Sequence, residues 1–129
     1  MSKQWVLDAS ALLAVLNNES GSEMVEKSIR EGAVIGTVNM SEVIAKLNEI
    51  GIPDQEIIKL SNNIGIEVIR FDHNLAYTSG LLRIKTKQYG LSLGDRACLA
   101  LAKKLGLPCL TADKIWERLD LPIEIQLIR

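Results

Sequence analysis

Short, almost wholly apolar runs alternate along this chain with longer segments whose apolar positions recur every three or four residues. The apolar runs are Trp5 to Leu7, Ala33 to Val38, Ile66 to Phe71, Pro108 to Leu110 and Ile123 to Ile128. Each is too short for an ordinary helix and reads as a strand. Between them, Leu12, Leu13, Val15 and Leu16 mark a first helix, and Met24, Val25 and Ile29 continue the helical pattern after Gly21. Val43, Ile44 and Leu47 mark a third helix ending near Gly51. A fourth runs from Pro53 through Ile57, Ile58 and Leu60, since proline suits the first turn of a helix. The segments Asp72 to Gln88 and Ser92 to Leu105 complete the set. Strands alternating with helices predict an α/β sandwich around a mainly parallel five-stranded sheet. The last run alternates apolar and polar residues, unlike the others, which predicts an edge strand exposed on one face.

Composition sharpens this picture. With 129 residues, 47% of them apolar, and neither an internal repeat nor a Gly, Ser or Pro-rich linker, one domain spanning residues 1–129 is expected. A formal net charge of -1 supplies no global positive field, so a polyanionic substrate has to be held locally, by a metal or a small basic patch. An aromatic content of 4% argues against a stacking platform for single-stranded bases. Cys98 and Cys109 lie in apolar settings without metal-like spacing, and are expected to be buried, reduced thiols. No apolar stretch approaches membrane-spanning length, so a soluble cytoplasmic protein is expected.

The chemistry concentrates in four acids: Asp8 in VLDAS, Glu42 in NMSEV, Asp95 in LSLGDRACLALA and Asp113 in CLTAD. Asp8 and Asp113 follow strands, whereas Glu42 and Asp95 are expected in the first turns of helices. In a parallel α/β sheet those places share one edge, where ligands bind. Each acid also has a local explanation. Ser92 to Asp95 fits a capping box, Asn39 to Glu42 has similar spacing, Asp8 competes with Ser10 to cap the first helix, and Asp113 is placed to cap the segment holding Ile115 and Trp116. Energy separates the collective from the local reading. Two carboxylates about 4 Å apart repel by roughly 4 kcal/mol at an effective dielectric near 20, which calls for protonation or a cation. Oxygen donors without sulfur or paired histidines favour Mg²⁺ or Mn²⁺. The single histidine, His73, is expected at the surface in the first turn of a helix.

These segments, VLDASALLAVLNNE, NMSEVIAKL, GLSLGDRACLALAKKLGLPCLTAD and the apolar C-terminal strand, together resemble PIN-domain proteins, most closely the VapC-type ribonuclease toxins of prokaryotic toxin-antitoxin pairs. The resemblance implies strand order 3-2-1-4-5, with Asp8, Glu42, Asp95 and Asp113 gathered around Mg²⁺ or Mn²⁺ at the C-terminal edge of the sheet. It implies cleavage of RNA, neutralisation by a cognate antitoxin and a homodimer. Ser10 and Thr111 fall where similar proteins use small polar residues to orient carboxylates or waters, and both also suit capping or sheet-end bonding. Arg96 is open to two roles, phosphate contact or a structural ion pair. Arg83, Lys85 and Lys87 form one basic cluster and Lys103 and Lys104 another, each either a solvated face or an RNA contact. Leu12, Leu16, Met24 and Ile29 are candidates for either core or interface. Two competing readings remain: a Mg²⁺-dependent aspartyl phosphotransferase or phosphatase using Asp8, and a non-catalytic interaction module.

Overall fold

Five three- to four-residue strands form one sheet in the computed structural model, which describes residues 3–129. The strands are β1 (Trp5–Leu7), β2 (Ala33–Gly36), β3 (Glu67–Ile69), β4 (Cys109–Thr111) and β5 (Ile125–Leu127). Their order is β3-β2-β1-β4-β5, and every pairing is parallel. The α/β architecture and the order 3-2-1-4-5 are therefore as expected. Six helices accompany the sheet: α1 (Ala9–Leu16), α2 (Ser22–Gly32), α3 (Thr37–Glu49), α4 (Asp54–Asn63), α5 (His73–Thr86) and α6 (Leu93–Leu105). Short 3₁₀ segments occupy Lys87–Tyr89 and Lys114–Arg118.

The period of two along the strands divides the core into halves. Val6, Val34 and Cys109 point to one face of the sheet, where α5, α6 and the fully buried Trp116 cover them. Leu7, Ile35 and Leu110 point to the other, against α1, α2, α3 and α4. The register places Val6 beside both Val34 and Cys109, and Leu7 beside both Ile35 and Leu110. Burial of a side chain of this size is worth about 1.5–3 kcal/mol. Apolar residues on both faces therefore fix β1 as the middle strand. The C-terminal strand behaves as an edge: Gln126 is exposed while Ile125 and Leu127 are half-buried.

Several element boundaries fall one or two residues from expectation, and the end of β2 matters most for the acids. The apolar run beginning at Ala33 is strand only to Gly36, because helix α3 starts at Thr37 and takes Val38 with it. Glu42 consequently lies in the second turn of α3, not the first, and Asn39 is inside the helix and caps nothing. Ser92, in contrast, does form a capping box at the start of α6, and Gly106 (φ +66°) closes that helix. Cys98 on α6 meets Cys109 on β4 with the sulfurs 3.1 Å apart, both buried free thiols. Burial, reinforced by the neighbouring Cys109, pushes the Cys98 thiol well above its ordinary range.

Candidate metal centre

Parallel strands bring their C-terminal ends, and the helix starts that follow, to a single edge. Asp8 is the first residue after β1. Its backbone N–H still donates to Leu110 O of β4 at 3.1 Å, while its side chain caps α1 by accepting from Ala11 N at 2.8 Å. Thus Asp8, and not Ser10, is the cap. Ser10 serves it instead: its hydroxyl donates to Asp8 Oδ1 at 2.7 Å and accepts from Ala112 N at 2.9 Å. Thr111 Oγ1 donates to the other oxygen, Oδ2, at 2.5 Å and accepts from Asp113 N at 3.0 Å. Ser10 and Thr111 therefore orient Asp8 from either side while tying β1 to the end of β4.

Asp8 is buried, and desolvation is the largest influence on its carboxyl. Its pKa stands at about 6 in spite of the hydrogen bonds from Thr111, Ser10 and Ala11, which lower it, and Asp95 adds Coulombic repulsion. Glu42 is half-buried and is likewise pushed upward, first by desolvation and also by Asp95, against a lowering hydrogen bond from Asn39. Asp95 is therefore the charge common to both. Its own Oδ2 accepts from Ser92 N at 2.9 Å in the capping box, and Asp95 N donates to Ser92 Oγ at 3.2 Å. The capping and clustering roles thus coexist in one side chain.

Asp113 stands apart. It is exposed, caps the 3₁₀ segment by accepting from Ile115 N at 3.1 Å, and is linked to Asp8 through Thr111. None of the ion pairs among the described residues involves Asp8, Glu42, Asp95 or Asp113. No three His, Cys, Asp or Glu side chains among those residues stand close enough to make a finished coordination shell. In kind, the donors fit a hard divalent cation: oxygen only, net negative, and without a basic side chain among them.

Arg96 makes no ion pair among the described residues; its Nη1 donates to Ser79 O at 3.0 Å, tying α6 to α5, and its Nε is buried without a partner. Arg83, Lys85 and Lys87 are exposed at the end of α5, where the chain turns toward the start of α6. Lys103 and Lys104 are in the last turn of α6, about two turns or 12 Å of helix rise from Asp95. Lys104 pairs with Asp72 at 3.5 Å, so that cluster lies away from the acids. His73 is exposed as the first residue of α5, as expected. Lys46, Gly94 and the role of Asn39, expected only as a cap, were not legible in the sequence. Lys46 lines a groove with Ser10, Leu13 and Glu42 between α1 and α3. Asn39 and Gly94 hold Glu42, and the available signals were an asparagine inside a helix and a glycine in a helix's first turn, both poor helix formers.

Solved structures carry the same architecture. The chain superposes on one from the crystal structure of DNA-bound VapBC from Salmonella typhimurium with a TM-score of 0.77, 17% identity, and coverage of 99% of this chain and 100% of that one. VapBC2 from Rickettsia felis, bound to a promoter DNA fragment, gives 0.76 at 17% identity over 95% and 97% of the two chains. Mycobacterium tuberculosis VapC20, a sarcin-ricin loop cleaving toxin, gives 0.73 at 11% identity over 94% and 99%. Identities this low establish the fold. No curated protein sequence matches the chain. The PIN domain model, however, matches residues 5–121, from the first strand past the fourth and so across all four acids; the chain belongs to the PIN-domain family.

Proposed function

We propose that this protein is a Mg²⁺- or Mn²⁺-dependent endoribonuclease, the toxin of a VapBC-type pair. The observation that carries the reading is Asp8: a carboxylate buried at a sheet edge, raised to about 6, sharing the repulsion of Asp95 with Glu42, and given no cationic side chain. A fold can hold such a group for stability only at a cost, whereas a bound cation removes the cost. Asp8, Asp95 and Glu42 would hold the metal, with Asp113 on the outer side. The metal, when bound, activates a water and offsets charge on the phosphate. Ser10 and Thr111 keep the Asp8 oxygens oriented. Arg83, Lys85 and Lys87, exposed where the chain turns toward the start of α6, would meet the RNA backbone.

The partners belong to the same proposal. Similar solved structures include a toxin-antitoxin complex from Klebsiella pneumoniae and a member of the VapBC family of toxin-antitoxin systems from Mycobacterium tuberculosis, which supports an antitoxin partner here. Of the early-helix apolar residues, Leu12 is core, Leu16 and Ile29 pack on it, and only Met24 is open. A homodimer would instead use α5, where Tyr77, Leu81 and Ile84 are 66%, 60% and 85% exposed.

RNA cleavage by the purified protein, with and without Mg²⁺ or Mn²⁺, tests the reading. Asp95→Asn keeps an oxygen for the cap and removes the charge, so it should reduce cleavage by about 100-fold, the upper end of what loss of a group supporting a metal ligand costs, while the protein still melts cooperatively. Mn²⁺ should raise the melting temperature of the wild type and not of the variant. Equal, metal-independent activity in both proteins would refute it. Mn²⁺ also separates this from the non-catalytic reading, which is favoured by the capping roles of Asp8, Asp95 and Asp113 and expects no such shift. The aspartyl-phosphate reading is disfavoured because the segment Asp8-Ala9-Ser10 lacks the second aspartate of a DxD signature.

A further inference from the structure

The Glu42 carboxylate rests against backbone. Asn39, one turn earlier on α3 and 2% exposed, uses its amide twice: Nδ2 donates to Glu42 Oε1 at 3.1 Å and to Gly94 O, on α6, at 3.0 Å. A Cβ added at Gly94 would stand 2.5 Å from Glu42 Oε1 and closer still to Oε2. Any side chain at position 94 would therefore occupy the seat of the carboxylate. Conformational freedom does not account for this glycine, because Gly94 is helical and is not among the residues of positive φ. Helix propensity argues against it, since alanine is the better helix former at such a site. What distinguishes Gly94 is its surroundings, one residue before Asp95 and in contact with Glu42.

We propose that Gly94 and Asn39 are positioning residues that set the Glu42 carboxylate beside Asp95: Gly94 by leaving room for it on the first turn of α6, Asn39 by anchoring it to the same turn. The inference rests on the metal-dependent reading above. It joins two acids from different helices into one unit, because the Asn39 amide that bonds Glu42 also bonds the backbone carrying Asp95. The group displaced by an added methyl is the far end of a flexible side chain, with the groove lined by Ser10, Leu13 and Ala45 open beside it. A methyl at 94 thus moves the carboxylate and leaves the fold intact.

Gly94→Ala is the test, read by Mn²⁺ calorimetry and metal-free thermal melts together. Its melting temperature should equal or exceed that of the wild type, while Mn²⁺ affinity falls about tenfold or more, as for loss of other groups that orient metal ligands. Glu42→Asp, one methylene shorter, should weaken Mn²⁺ binding in the wild-type background and leave it unchanged or improved in the Gly94→Ala background. Asn39→Leu should weaken Mn²⁺ binding as well. Wild-type affinity in Gly94→Ala overturns the inference alone. A Gly94→Ala protein that melts well below wild type makes Gly94 a packing residue and overturns it too. Failure of the wild type both to bind Mn²⁺ and to cleave RNA overturns the metal reading, and this inference with it.

Discussion

Burial of Asp8 sets the stability of the fold against the ionised carboxylate that the proposed metal site requires. In the unfolded chain it titrates near 3.8 and in the fold near 6. Between those values the folded state binds a proton that the unfolded state has lost, so metal-free stability falls as pH rises through that window. At about 1.4 kcal/mol per pH unit, the displacement amounts to roughly 3 kcal/mol once Asp8 is fully ionised above pH 7. Asp8→Asn should therefore melt higher than wild type at pH 8, with the difference vanishing near pH 4, in scans across that range. Superimposable pH curves for the two proteins would show that Asp8 carries no such strain. On the metal-dependent reading proposed above, the same substitution should also eliminate cleavage, since it removes the charge that a metal would need. Asp8 itself was conspicuous in the sequence, after an apolar strand and before a helix. Its donors were less so: nothing in the spacing of Asp8 and Thr111 along the chain foretells a 2.5 Å hydrogen bond.

Among the elements, local rules succeeded where the signal was local. Ser92 and Asp95 cap α6 as their spacing suggests, because a capping box closes within four residues. Asn39 and Glu42 have the same spacing and form no box, because α3 begins two residues before Asn39, at Thr37, and places both side chains inside the helix. The loop before α2 shows the opposite case, a requirement set from far away. Gly21 has φ +95°, and an added Cβ would overlap the backbone carbonyl of Ile128, just after β5. The chain end is pinned there by Arg129, whose Nη1 donates to Ser20 O at 2.8 Å. Gly21→Ala should cost more than the roughly 1–3 kcal/mol of a strained backbone alone. Gly65→Ala supplies the comparison, since Gly65 also has positive φ (+76°) but meets nothing within 4 Å. Equal losses for the two in urea melts would mean that the contact with Ile128 does not matter.

At the scale of the molecule, the sheet order does the assembling. With β1 in the middle, flanked by β2 and β4, the residues after it stand between the starts of α3 and α6. The acids are thereby drawn toward one edge from four distant parts of the chain. The opposite end of α6 carries Lys103 and Lys104, so the two ends differ in charge. Among the described residues no helix is long and apolar enough to cross a membrane. The open apolar residues of α5 are the surface to test for self-association. On the homodimer reading proposed above, a Leu81→Glu/Ile84→Glu pair should shift the mass measured by light scattering from dimer to monomer, with the monomer still unfolding cooperatively because neither residue is core. An unchanged mass would exclude α5 as the interface.

The amino-acid order by itself determined which segments are strands and helices, how many there are, and that Asp8, Glu42, Asp95 and Asp113 are the acids worth watching. Periodicity, capping and apolar runs are properties of neighbouring residues, and neighbours suffice to read them. Only the tertiary structure decided that Asp8 is buried while Asp113 is exposed, that Arg96 ties α6 to α5, and that Lys104 faces Asp72 away from the acids. It also decided that Asn39 and Gly94 cradle Glu42. Desolvation, Coulombic coupling and steric room depend on what the fold brings alongside a residue, and the partners that tie one element to another here come from 17 to 103 positions away in the chain.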